Sequence, residues 1–126
     1  MMTEHIGLSQ KAKDQLIRLK RLTGIKNWNV LCRWGLCLSL SDPTIPPLSK
    51  IILDSNVEMS WKVFGGEYQE VYFALLKERC FKDGLGTNEE VLCTQFRLHL
   101  HRGIDFLATK RGINNIASFF KEVNPD

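Results

Sequence analysis

Residues 9–40 read SQKAKDQLIRLKRLTGIKNWNVLCRWGLCLSL, and this stretch decides the fold. Ser9 stands where an N-cap belongs, because its hydroxyl can accept an orphan amide at a helix start. From residue 10 to 23, Ala12, Leu16, Ile17 and Leu19 fall on one helical stripe. Lys11, Lys13, Arg18, Lys20 and Arg21 occupy the rest of the surface. Gly24 can take the left-handed conformation that ends a helix. After the link Ile25-Lys26-Asn27, the run from Trp28 to Leu40 is apolar almost all round, interrupted by Asn29, Arg33 and Ser39. Such a helix is expected to be buried on most sides. It is too short to span a bilayer and carries Arg33, so no membrane partner is expected. Trp28, Leu31, Trp34 and Leu38 give more apolar surface than one small layer needs, which points to a core shared with a second copy.

Working outward, His5 to Ser9 alternates polar and apolar residues, as a short strand would. Residues 42–50 form a proline-rich connector that no helix crosses. Residues 50–54 suit a short extended piece. Val57, Met59, Trp61 and Val63 alternate with polar neighbours and predict a strand. A helix follows Gly65-Gly66 over residues 67–82, with Tyr68, Val71, Tyr72, Leu75 and Leu76 at helical spacing. Thr87 and Glu90 fit a capping box that opens a helix to about residue 108. A last segment after Gly112 places Ile116, Phe119, Phe120 and Val123 on one side, with Asn114 as its cap. The 126 residues are therefore expected to form one mainly α domain with two or three short strands. Within it, residues 1–41 supply a basic and an apolar helix, and residues 51–126 a helical remainder. The strand, helix, loop and helix of the first 40 residues resemble a ribbon-helix-helix unit.

The charge is uneven. Residues 1–26 hold six basic side chains against two acidic ones, a net of +4, while residues 27–126 net −1. A field focused in this way attracts polyanions. Lys11, Lys13, Arg18, Lys20, Arg21, Lys26, Asn27 and Arg33 are the candidate DNA contacts. Lysine and arginine neutralise phosphates, and amides at the start of the second helix can hold a phosphate oxygen. Arg97, His99, His101 and Arg102 form a second, weaker basic group.

Catalytic patterns are missing. His99 and His101, two apart, diverge on a helix, and no third ligand stands at a useful spacing. The sequence lacks a nucleophile elbow, a P-loop and a dinucleotide fingerprint. The acids are scattered, with Glu89-Glu90 suited to a helix's first turn. Cys32, Cys37, Cys80 and Cys93 lack the spacing of a metal ribbon or iron–sulfur site, and Cys32 and Cys37 are expected in the core. No catalytic residue, metal site or cofactor is assigned. The polar N-terminus carries no signal-peptide pattern, so a cytoplasmic protein with reduced thiols is expected.

Three blocks carry a family resemblance: residues 17–34 (IRLKRLTGIKNWNVLCRW), 56–68 (NVEMSWKVFGGEY) and 96–103 (FRLHLHRG). In order and length they resemble the DNA sulfur-modification proteins of the DndE family over most of the chain. The resemblance implies a bacterial multi-protein system that replaces a non-bridging phosphate oxygen of DNA with sulfur. It implies a small subunit without catalytic motifs that binds DNA alongside the other sulfur-modification proteins. Changing a backbone phosphate requires access to a strained or opened duplex, so duplex DNA, nicked duplex included, is the expected partner. Two alternatives stand beside it. One is an assembly subunit that docks partners through helix 28–40 and the Trp61 region. The other is a nickase using His99, His101 or the cysteines.

Overall fold

The computed structural model describes residues 5–109. The segment expected after Gly112 lies outside the described residues. The chain runs through β1 (His5–Gly7), α1 (Gln10–Thr23), α2 (Trp28–Ser41), β2 (Glu58–Ser60), α3 (Trp61–Gly65), a 3-10 turn (Gly66–Tyr68), α4 (Gln69–Lys82) and α5 (Glu89–Ala108). The fold is thus mainly α with one small sheet, as the periodicities require.

Local chemistry sets the first two helices. Ser9 Oγ accepts from the Ala12 amide at 3.1 Å and starts α1. Asp54, from the segment that follows the connector, accepts from the Gln10 amide at 2.9 Å, so the helix start carries a second acceptor and a negative charge. Gly24 ends α1 at φ 76°, with its N–H on the Lys20 carbonyl at 3.0 Å. Ala12, Leu16 and Leu19 are the buried stripe.

Three sequence expectations shift. The alternating run 57–63 is a strand only to Ser60, whose hydroxyl accepts from the Val63 amide at 3.0 Å and turns the chain into α3. Helical spacing then buries Trp61 and Phe64 and leaves Val63 exposed. Residues 50–54, expected to be a short extended piece, form no strand; beside them Ser55 bonds the Leu8 carbonyl through both its amide and its hydroxyl. At α5 the cap is Asn88, which accepts from the Val91 amide at 2.9 Å, and not Thr87.

β1 pairs antiparallel with β2 in register His5–Ser60, Ile6–Met59 and Gly7–Glu58. A ribbon-helix-helix unit would pair this strand with a second copy, whereas here its partner residues lie 51–55 positions downstream in the same chain. The core sits between the sheet and the helices. At one end Trp61, Phe64, Phe96, Tyr72 and Phe73 form edge and stacked ring contacts with centroids 5.1–6.3 Å apart. Such pairs add to plain apolar burial. Trp61 is therefore a core residue and not an outward docking surface.

The dominant helix contact is α2 on α5. It closes at two glycines. A Cβ on Gly103 would stand 1.7 Å from the Gly35 carbonyl oxygen, and one on Gly35 would stand 3.0 Å from the Gly103 carbonyl carbon. Backbone meets backbone there, and no side chain fits between.

Candidate nucleic-acid interface

The basic residues of α1 follow helical geometry into two flanks around the buried stripe. Lys13 and Lys20 are two turns apart on one flank. Lys11 and Arg18 are two turns apart on the other. Arg21 stands at the outer crest, and Lys11, Arg18 and Arg21 are exposed while Lys13 and Lys20 are half-buried. Beyond Gly24, Lys26 and Asn27 are exposed at the start of α2. Asn27 is the N-cap by position but makes no side-chain cap bond, so the first amides of α2 face outward without that acceptor.

The partners of these cations differ. Lys11 lies 3.7 Å from the Asp105 carboxylate on α5, which also accepts from Gln15 Nε2 at 2.7 Å. Lys13 donates to Asn56 Oδ1 at 2.5 Å. Lys20 stands over the Trp28 ring, 4.1 Å from its centroid. Neither Asn56 nor Asp105 could be linked to α1 from the sequence, since they lie 43 and 94 positions from their lysines. Trp28 is half-buried and packs on the core with one face left to Lys20.

Arg33 does not join this surface. Its guanidinium donates to the Phe64 carbonyl and to the Val63 carbonyl (3.2 Å), closing the C-terminal end of α3. The partner carbonyls are 30 and 31 positions away, so sequence reading places Arg33 among free cations when its donors are already engaged.

The arginine-histidine group on α5 is likewise internal. His99 is fully buried, with Nδ1 2.8 Å from Ser39 Oγ. Burial, reinforced by the nearby Arg102 and Arg79 charges, lowers its pKa to about 4. His101 Nε2 accepts from the Ser9 amide at 3.2 Å, and its Nδ1 lies 2.8 Å from the Arg97 carbonyl. That arrangement fixes a neutral ring with the proton on Nδ1. Burial is the main cause that holds its pKa below the usual value. Arg102 donates to Ser39 Oγ, Ser39 O and Thr44 Oγ1 at 2.8–2.9 Å. Arg79 donates to the carbonyls of Leu40, Asp42 and Thr44 and pairs with Asp83 at 2.8 Å. The two arginines fasten the proline-rich connector to the end of α2. Of that group, Arg97 is exposed. Among the described residues, no three His, Cys, Asp or Glu side chains gather where they could hold a metal ion.

The candidate core residues divide. Leu31 is fully buried, while Trp28, Trp34 and Leu38 are half-buried. Trp34, Leu38, Cys37, Arg33 and Tyr72 line an open groove of about 360 Å³ between α2 and α4. Helix α2 thus keeps an apolar outer face, and Cys37 is exposed there rather than in the core. Cys32 is buried, and desolvation pushes its thiol up to about 12, which leaves it inert near neutral pH.

The family model for the DNA sulphur modification protein DndE matches residues 5–115. The chain belongs to the DndE family. The family takes part in DNA phosphorothioation. Its fold is shared with the crystal structure of DndE from Escherichia coli B7A, a protein involved in DNA phosphorothioation modification. That structure matches at TM-score 0.70 and 24% identity, over 85% of this chain and 98% of the other. A G21/24K mutant of DndE matches at TM-score 0.63 and 19% identity, over 83% and 98%. A comparison with curated proteins finds no match. Among the described residues, no helix is long and apolar enough to cross a membrane.

Proposed function

We propose that this DndE-family chain is a non-catalytic DNA-binding subunit of a bacterial phosphorothioation system. It holds duplex DNA, nicked duplex included, for the proteins that carry out sulfur transfer. The supporting observation is the outer surface of α1 with the Gly24–Asn27 loop. Arg18, Arg21 and Lys26 have no ionic partner among the described residues, and Lys13 and Lys20 are held by uncharged groups. Phosphate neutralisation by such cations releases counterions and carries little sequence preference. Sulfur chemistry is assigned to partner proteins, in line with the buried, bonded state of His99 and the high pKa of the Cys32 thiol.

The test is charge reversal of Lys11, Lys13, Lys20 and Lys26 to Glu, with DNA affinity measured across a salt series. The expected result is a large loss of affinity and a flatter slope, by about 0.9 for each phosphate contact removed. Unchanged retention on DNA would overturn the reading. Incubation of the purified protein with supercoiled DNA and divalent metal separates it from a nickase, which would cut.

A second reading concerns assembly and is favoured by the α2–α4 groove. Trp34, Cys37 and Leu38 face outward beside Tyr72, with Val71 and Leu75 exposed nearby. We propose that a second copy covers this face, forming a homo-oligomer. A monomeric mass by light scattering at micromolar concentration would rule that out.

A further inference from the structure

Resting on the DNA-binding reading, we propose that Trp28 and Asn56 are positioning residues. They hold Lys20 and Lys13 as an ordered pair of cations, so that this flank of α1, rather than the Lys11–Arg18 flank, sets the register of the DNA backbone.

The case begins with what each lysine meets. A lysine on a helix surface has four rotatable bonds, and ordering it on a ligand costs entropy. A carboxylate partner orders it but cancels its charge, and must be given up or shared when a phosphate arrives. Lys11 is in that position beside Asp105. Lys13 and Lys20 are ordered by an amide oxygen and an indole face, which are uncharged. Their full charge remains for an anion. An ammonium has three N–H donors and uses only one side for each of these contacts, so a phosphate can approach from the open side.

The spacing fits as well. Seven residues of α-helix rise about 10 Å, and the two side chains leave the helix within about 20° of one another. Phosphates on one strand of a duplex advance about 3.4 Å along the axis per step, so the pair spans about three steps. Two fixed cations at that interval define a line along one strand. Both holders come from outside α1: Asn56 from the segment just before β2 and Trp28 from α2. The tertiary fold, and not the helix alone, therefore aims the pair.

The experiment measures binding of the full chain to a synthetic intact duplex at several salt concentrations. Lys13→Gln and Lys20→Gln come first, and each should weaken binding and lower the salt slope by about 0.9. If neither does, the DNA-binding reading of this flank fails. If both do, the holders are tested. Trp28→Leu should raise Kd about threefold, the low end for a cation on an aromatic face, and Trp28→Phe should restore most of it. In a Lys20→Gln background, Trp28→Leu should add no further loss. A purely structural role for Trp28 would give the same loss with or without Lys20, and would overturn the proposal. Asn56 is exposed, so its variants leave the core intact. Asn56→Ala should weaken binding about twofold, within the range of a single hydrogen bond. Asn56→Asp should weaken it further and flatten the salt slope, because the holder then neutralises Lys13. Wild-type affinity for both Asn56 variants, with Lys13→Gln defective, would overturn the positioning role while leaving the DNA-binding reading in place.

Discussion

Replacing Gly103 with alanine adds one methyl group at the point where α5 crosses α2. The added Cβ would fall 1.7 Å from the Gly35 carbonyl oxygen, 2.2 Å from its carbon and 2.9 Å from its Cα. Carbon atoms of real side chains stay at least 3.0 Å from such neighbours, so α2 must retreat by at least 1.3 Å. The obstructing atoms are backbone, which no rotamer change can move aside. A gap of 0.5–1 Å already forfeits about a quarter to a half of the dispersion energy of each affected contact. The same displacement loosens Leu31, Cys32 and Leu36 of α2 and Leu100, Ile104 and Leu107 of α5, all fully buried. Overpacking of this kind costs about 1–3 kcal/mol and occasionally more. Against it stands the better helix propensity of alanine, about 1 kcal/mol. The displaced interface is the most extensive helix contact among the described residues, so the cost belongs at the upper end. The expected net loss is about 2 kcal/mol, a sizeable part of a total that for domains is about 5–15 kcal/mol. Urea unfolding followed by circular dichroism measures it directly as a lowered midpoint. Gly35→Ala, whose Cβ meets the opposite helix at 3.0 Å, should lose less. If Gly103→Ala matched or exceeded the wild type, propensity would be the governing term and the close crossing would carry no weight.

Other outcomes follow from the same reasoning. The folded state holds His99 neutral with a pKa of about 4, against 6.5 in an unfolded chain. The unfolded chain therefore binds more protons between those values, and stability falls as pH drops from 6.5 towards 4, by roughly 3 kcal/mol if His99 acts alone. His101 shifts in the same direction, and a urea midpoint that stayed level from pH 7 to 4.5 would contradict both. Arg79→Met leaves the Leu40, Asp42 and Thr44 carbonyls and the Asp83 carboxylate without their donor. A loss of about 3 kcal/mol is expected in thermal unfolding, with Arg79→Lys failing to rescue because one ammonium cannot span the fork. Asn88→Ala should cost about 1 kcal/mol and Thr87→Ala under about 0.5 kcal/mol, and the reverse order would return the cap of α5 to Thr87.

Much of the helical frame is legible in local chemistry, because the signals at its ends are short-range. Ser9 and Gly24 bracket α1, and their bonds are to residues three and four positions away. Ambiguity enters where two local signals compete. Thr87 and Asn88 are both capping residues, and only the chain's path chooses between them. Ser60 belongs equally to a strand and to a helix start, and the aromatic core decides in favour of α3 by burying Phe64 instead of Val63. The cations were harder to sort. Arg33, Arg79 and Arg102 look like the lysines of α1 in one dimension, yet their partners are carbonyls 30–63 positions away. The apolar pattern of α2 shows that the helix is covered but not by what, so the exposure of Cys37 and the open groove beside it became visible only in three dimensions.

The pairing of β1 with β2 reaches beyond the sheet itself. It joins residues 5–7 to residues 58–60, while Ser9 is bonded to His101, 92 positions on. The basic helix thus lies inside a loop whose closing contacts are complete only once the chain extends through α5. A fragment ending at the connector would keep the lysines but lose the strand partner, the Asp54 acceptor and the α5 surface on which α1 rests. Chains dominated by such distant contacts fold more slowly than helical bundles of similar size. The electrostatic surface is therefore inseparable from the C-terminal half in time as well as in space. A nascent or truncated chain would not present it as an ordered unit, and only the finished domain would carry its lysines in fixed positions.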